Sequence, residues 1–283
     1  IGGSRMSPAS LQEQLIAWQK KSGLSSPFNR GQKSGLKREQ KTQKTAEIAE
    51  PNLLQRAEIS PVQRFAESRR IEHLYHFTSL GNLNGILNKG ILPRNELDKV
   101  KDAFIHDVQR EDGCLDASSC TIGFPNYKTF YTFRQRYISC DMKWAVIALK
   151  ASILWEYKCL FNKTNAADNS CSSLGREERS TLEALQGMFD ESGRSPDINP
   201  DMTTNPQAEV LVLGKIETTD IDYIAFENRS DRDGCMTRLP NSNAWDSLLR
   251  VEPELFKWRA DYKTWQPKNV ASTAPDLDDE IPF

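Results

Sequence analysis

Residues 205–217 read NPQAEVLVLGKIE, and the run Val210 to Leu213 is unbroken aliphatic. Four such residues between polar flanks describe a strand covered on both faces, hence one inside a sheet rather than at a solvated edge. A glutamate, Glu209, stands at the mouth of that strand with Gln207 two places before it. Side chains alternate along a strand, so the two polar groups are expected to share a face. Such a pair either caps a sheet edge or belongs to a reaction site.

Further strands are expected in IEHLYHFT (71–78), KWAVIALK (143–150) and IDYIAFEN (221–228). Between them the helices are short. SPVQRFAESRR begins one, with Ser60 as N-cap, Pro61 in the first turn and Gln63 completing a capping box. SLGNLNGILNKG carries Leu80, Leu83, Ile86 and Leu87 as a helical stripe that stops at Gly90. Asp112-Gly113 signals a turn, and residues 124–137 form an aromatic segment, FPNYKTFYTFRQRY, whose rings are mostly core. Residues 162–207 read as a long polar stretch, broken by one short helix with Leu182, Leu185 and Phe189, and suited to contacting a substrate. A helical tail, AWDSLLRVEPELFKW, follows the last strand. Strands and short helices in no regular alternation indicate an α+β fold.

The chain of 283 residues divides by composition. Residues 1–5 (IGGSR, before Met6) read as a leftover of expression and are set aside. Residues 6–70 form a basic extension: a helix over 7–21, a Ser-, Gly-, Gln- and Lys-rich linker over 22–46, and the helix that starts at Ser60. The dense domain is expected over 71–267, and 268–283 is an acidic tail. Residues 1–70 carry 13 Lys/Arg against 6 Asp/Glu, although the whole chain is near neutral at −2. That asymmetry suits a polyanionic partner reached through the front segment, and equally a solvated linker. Six scattered cysteines without a CxxC pair, beside three histidines, argue against zinc and for buried thiols in a reducing cytoplasm. No apolar run is long enough for a membrane helix, and no secretory pattern opens the chain. Neither GxGxxG, GxxxxGK[ST] nor GxSxG occurs.

Three places taken together narrow the chemistry: Tyr75-His76-Phe77-Thr78 at a strand end before LGNLNGIL and Gly90; FPNYKTFY (124–131); and Gln207-Ala208-Glu209 opening the buried strand. In that order they resemble the ADP-ribosyltransferases, and more narrowly the DarT toxins, over roughly residues 71–228. The resemblance implies an ADP-ribosyltransferase-like split sheet. It also implies a metal-free, NAD-dependent transfer of ADP-ribose to a base of single-stranded DNA, by the toxin of a toxin–antitoxin pair whose antitoxin protein removes the mark. FPNYKTFY and Asn165 to Asp168 (NAAD), with glutamine before the glutamate, are similar to the guanine-modifying subgroup. RNA 2′-phosphotransferases share part of the first motif. Action on RNA or protein, or a non-catalytic DNA-binding module, remains a competing reading.

Each residue has an implied role. Glu209 is the catalytic carboxylate: it steadies the ribose as charge develops and takes a proton from the attacking exocyclic amine. Gln207 orients the glutamate or the base. His76 holds a ribose hydroxyl with Thr78 beside it, and Gly85 lets the next helix approach the dinucleotide. Relatives carry an arginine near nicotinamide in Pro–Arg–x–Pro–Met–x–Tyr; here Pro125-Asn126-Tyr127 lacks it. Lys128 and Arg134 are the cations on offer for the phosphates, and the sequence does not choose between them. Tyr127 and Tyr131 are candidates to stack on nicotinamide or a base. Arg176, Arg179 and Arg194 are candidate phosphate contacts.

Overall fold

A computed structural model describes residues 59–265, apart from 98–99, 101–102, 106–109, 141 and 241. The helix expected over 7–21, the linker over 22–46 and the acidic tail lie outside the described residues. The described residues all fall in one compact unit, Arg56–Phe283.

Seven strands form one sheet in the order β4-β5-β2-β1-β3-β6-β7. They are β1 (His73–Ser79), β2 (Ala117–Ile122), β3 (Trp144–Lys150), β4 (Cys159–Asn162), β5 (Glu209–Leu213), β6 (Ile221–Phe226) and β7 (Leu249–Val251). All neighbours are antiparallel except β6 and β7. Nine helices are described: α1 (Pro61–Ser68), α2 (Leu83–Lys89), α3 (Arg94–Leu97), α4 (Tyr127–Arg136), α5 (Ile153–Glu156), α6 (Asn169–Ser172), α7 (Arg176–Arg179), α8 (Leu182–Gly187) and α9 (Arg229–Met236). The α+β expectation holds, and the unbroken run in β5 has its reason: it lies between β4 and β2 with Val210, Leu211 and Val212 fully buried.

The sheet is joined unevenly. β1 pairs with β3 along its whole length, from His73↔Lys150 to Ser79↔Trp144. It pairs with β2 only at Leu74↔Ile122 and Tyr75↔Thr121. Beyond Tyr75 the two strands part, which splits the sheet into a β4-β5-β2 half and a β1-β3-β6-β7 half. The opening lies at the His76–Thr78 end of β1.

Local chemistry explains the elements around the split. Ser60 Oγ accepts the Gln63 N–H at 3.0 Å and starts α1 as expected; the Gln63 side chain donates to Glu67 instead of closing a capping box. α1 was assigned to the extension, yet Ala66 is buried in the main core, so the compact unit begins before Ile71. α2 buries Leu83, Ile86 and Leu87 and ends at Gly90, whose φ is +82°. A Cβ there would lie 2.2 Å from the Ile216 carbonyl oxygen, so the tight stop before the Ile91–Ile216 bridge requires glycine.

The structure corrects several expectations. Residues 162–207 are not an open loop: they contain α6, α7 and α8, and they bury Leu185, Met188 and Phe189 in the core. The expected C-terminal helix is instead a set of 3-10 turns around β7, because Leu249–Val251 pairs in parallel with Ile224–Phe226 and Pro253 follows two residues later. Sequence reading had no strand at β2 or β4. Of the cysteines, Cys114, Cys120, Cys159, Cys171 and Cys235 are free and buried.

Candidate active site

The split in the sheet opens into a cleft of about 410 Å³, within the usual range for a small-molecule site. Its wall includes His76 and Thr78 from β1, Gly81 and Asn82 from the 3-10 turn before α2, Gly85 from α2, Ser118 to Thr121 from β2, Asn126 capping α4 and Thr129 within it, Arg110, and Glu209 from β5. Four of the sequence-derived candidates, His76, Thr78, Gly85 and Glu209, therefore meet in one cavity although 133 positions separate the first from the last.

Glu209 begins β5 and retains only 9% of its surface. Its Oε2 accepts the Ala166 N–H at 3.0 Å. That N–H is aimed by the NAAD stretch: Asn165 Oδ1 accepts the Ala167 N–H, and Asp168 Oδ1 accepts from Ser170 to cap α6. These are turns in which a short polar side chain binds the backbone two residues on. Behind the carboxylate, Asn162 Nδ2 donates to the Glu209 carbonyl at 3.1 Å, and Arg179 donates to Asn162 Oδ1. Burial raises the Glu209 pKa from 4.5 to about 7, with the Asp112 charge adding to it. The Ala166 N–H, Arg110 and the Ser119 side chain oppose the rise.

His76 bridges the split. Its Nδ1 lies 2.9 Å from the Ser119 carbonyl of β2. A carbonyl only accepts, so Nδ1 carries the proton and Nε2 is left as an acceptor. Burial, assisted by Arg110, holds the ring below its ordinary pKa and hence neutral near pH 7. Thr78 Oγ1 accepts from Asn82, which also binds the Phe104 backbone from both ends of its amide. At Gly85 an added Cβ would meet no protein atom within 4 Å, so the glycine leaves free room along the cleft.

The remaining candidates are placed elsewhere. Gln207 sits in a turn, where its N–H binds Asn205 Oδ1, and the strand starts only at Glu209. The expected alternation therefore does not reach back to it, and Gln207 is not part of the cleft wall. Lys128 and Arg134 are not part of the cleft wall. Lys128 Nζ donates to the Trp265 carbonyl at 3.0 Å, and Arg134 forms a two-pronged pair with Glu227 at 2.7 and 2.9 Å. Tyr127 is buried against Trp258, on a side of α4 other than the one that Asn126, Thr129 and Phe133 turn to the cleft. The three loop arginines also have internal partners: Arg176 pairs with Asp116, Arg179 is buried against Asn162, and Arg194 binds the carbonyls of Met202 and Asn199.

Lys89, Arg94 and Arg110 are the basic residues of the cleft wall among the described residues, and Arg110, which sequence reading missed, is the one whose charge acts on Glu209 and His76. It bonds Asp112 and the Cys114 carbonyl, and its φ is +44°. The Asp112-Gly113 turn was legible, but nothing in the spacing told that it folds an arginine toward Glu209.

A family model described as "ssDNA thymidine ADP-ribosyltransferase, DarT" matches residues 75–258, which runs from Tyr75 within β1 to Trp258 and takes in the residues of the cleft. The chain belongs to the DarT family. Among solved structures it is similar to Thermosipho africanus DarTG in complex with ADP-ribose (16% identity, TM-score 0.46), covering 65% of this chain and 51% of that one, about half its length. It is also similar to Thermus sp. 2.9 DarT in complex with ADP-ribosylated ssDNA (14%, TM-score 0.47; 66% of this chain, 97% of that one). A third similarity is to the same Thermus protein in complex with NAD+ (14%, TM-score 0.41; 66% and 98%). No curated protein sequence matches the chain. Among the described residues no group of three or more His, Cys, Asp or Glu is arranged to hold a metal, and no helix is long and apolar enough to cross a membrane.

Proposed function

We propose that this DarT-family chain is an NAD-dependent mono-ADP-ribosyltransferase that marks a base of single-stranded DNA and acts as the toxin of a toxin–antitoxin pair. The observation that carries the reading is Glu209: a buried carboxylate with a pKa of about 7, in the same cleft as a neutral, acceptor-bearing His76.

The residues present suit a dinucleotide. The cleft has the volume of a cofactor site, Gly85 leaves space where any side chain would intrude, and Arg110 places positive charge along the wall. When bound, NAD supplies the ADP-ribosyl group and a nicotinamide that departs neutral. His76 Nε2 accepts a ribose hydroxyl proton, and Thr78 braces the same wall through Asn82. Glu209 holds the second ribose and then takes the proton from the attacking base nitrogen. A proton affinity near neutrality lets one group be unprotonated for the attack and still bind a proton afterwards. Arg110 and the Ala166 N–H stabilise the ionised form, and Asp112 tempers Arg110.

The finer reading is that the base is guanine. It is supported by FPNYKTFY and by NAAD, whose Ala166 N–H holds the Glu209 carboxylate. Thymine is the alternative that the family description favours. A removable mark implies an antitoxin that hydrolyses it. Incubating the protein with labelled NAD and short single-stranded oligonucleotides, each lacking one base type, and weighing the products by mass spectrometry tests both levels. Label retained without guanine replaces guanine by another base; no label on any oligonucleotide refutes the DNA reading.

A further inference from the structure

We propose that three half-buried rings beside the cleft, Tyr131, Trp258 and Tyr262, form a stacking platform for a nucleobase of the substrate strand other than the one being modified. The inference rests on the single-stranded-DNA reading above.

The rings are contiguous. Tyr131 and Trp258 have centroids 5.0 Å apart, and Trp258 and Tyr262 are 5.8 Å apart, both pairs tilted by 40°. None of the three belongs to the buried clusters that make the core. Opening a slot for a base between two rings takes about 7 Å, twice the roughly 3.4 Å stacking repeat. The observed spacings are too close for that, so a base stacks on the outer surface of the group.

Position ties the platform to the reaction. Asn126, Thr129 and Phe133 of α4 line the cleft, while Tyr127 and Tyr131 of the same helix carry the aromatic group. The two sites are thus separated by no more than a helix width, about 10–12 Å, a step that a flexible single strand crosses while one base enters the cleft.

Charge selects the occupant. Lys263 is exposed with its Nζ 5.9 Å from the Tyr262 ring centre, and Lys128 Nζ reaches the Trp265 carbonyl beside it. The acid within the segment, Asp261, is buried and neutralised by Arg259 through both carboxylate oxygens at 2.7 Å. Flat rings bordered by the exposed Lys263 fit a strand of phosphates and bases: stacking tolerates any base, and the cation follows the backbone.

The segment is also fixed in advance. Arg259 donates to the carbonyls of Thr203 and Thr204 at 2.8 and 2.9 Å, and Trp265 Nε1 donates to Asp261 at 2.8 Å. This short segment therefore holds its rings rigidly, which reduces the ordering cost of binding.

The test is fluorescence anisotropy with a labelled mixed-sequence single-stranded decamer and with a decamer of abasic sites. The proteins are wild type, Trp258→Ala, Trp258→Phe and Lys263→Glu, each checked for folding by thermal denaturation. Trp258→Ala should weaken the decamer about ten-fold or more, the loss of one stacked base, leave abasic binding unchanged, and leave NAD affinity unchanged. Trp258→Phe should restore most of the affinity. Lys263→Glu, at an exposed position, should weaken both strands, and it provides the readout if Trp258→Ala fails to fold. Equal decamer affinity in all four proteins, or an equal loss for the abasic strand in Trp258→Ala, overturns the platform. Modification of the oligonucleotide by wild type is scored separately: modification with unchanged binding in the variants refutes only the platform. Trp258-dependent binding without modification refutes only the transferase reading.

Discussion

Glu209→Gln separates the energetic cost of the carboxylate from its chemical use. In the native fold the group binds its proton with a pKa of about 7 against an ordinary 4.5. A carboxyl raised on folding leaves stability intact below about 4.5 and withdraws it progressively as pH climbs from there through about 7, because the unfolded chain ionises first and the buried group last. At about 1.4 kcal/mol for each tenfold in proton affinity, the loss by pH 8.5 is roughly 3 kcal/mol. Glutamine keeps an oxygen to accept the Ala166 N–H and never ionises, so it escapes that loss. At pH 4.5 the two proteins should agree within about 0.5 kcal/mol. At pH 8.5 the variant should be more stable by roughly 3 kcal/mol. For a unit of this size that is a melting-temperature rise of about 6–12 °C. The variant should also lack transfer activity altogether.

The assay is thermal and urea unfolding of both proteins at half-unit steps from pH 4.5 to 8.5. The diagnostic is the difference between the two curves, because every other titrating group is common to both. A difference that stays flat across the range would mean that Glu209 ionises like a surface carboxylate, and the assignment of a poised base would fall with it. A more stable variant that still transferred ADP-ribose at the parent rate would uphold the electrostatics and remove the catalytic role.

Other outcomes follow from particular contacts. The pH–rate profile of kcat/KM should rise with a single midpoint near 7, since the base works unprotonated; Asp112→Asn should move that midpoint down, because it removes the charge that opposes Glu209 ionisation and frees Arg110 to favour it. A midpoint unmoved in Asp112→Asn would contradict that electrostatic link. Asp261→Ala should destabilise by about 3–5 kcal/mol, since it leaves Arg259 charged and unpaired at 2% exposure; a loss under 1 kcal/mol in urea unfolding would show the pair to be solvated. Gly123→Ala should cost at least about 1–3 kcal/mol, because φ is +76° and the added Cβ would lie 2.5 Å from the Asp201 carbonyl oxygen; unchanged stability would refute that close approach.

What the sequence made legible was the part of the site carried by regular elements. The aliphatic run after Glu209 places that residue at a strand mouth. The Tyr75-His76-Phe77-Thr78 stretch before a Leu/Ile stripe places His76 and Thr78 at a strand end, and Gly90 marks where α2 stops. The illegible part depends on contacts distant in sequence. Lys128 and Arg134 look available on paper, but a carbonyl 137 positions away and a carboxylate 93 positions away occupy them. Arg110, by contrast, sits in a polar stretch with no periodicity to mark it. Gln207 shows the limit of alternation as an argument: a turn closed by Asn205 interrupts the strand pattern one residue before it matters.

The strand that sequence reading missed explains why the cleft exists at all. β2 reads Ala-Ser-Ser-Cys-Thr-Ile, with a single bulky apolar residue, Ile122, in place of the run that announces a buried strand. It is nonetheless central, between β5 and β1. Large side chains at Ser118, Ser119 and Cys120 would fill the space where β1 and β2 part. Small ones leave it open and let the His76 ring cross to the Ser119 carbonyl. The hydrogen bonds that β1 and β2 fail to make beyond Tyr75 are therefore partly replaced by one side chain, and the same ring is held ready for a ligand. The features that weaken β2 as a sequence signal, small volume and hydroxyl groups, are the ones that make room for a dinucleotide beside Glu209.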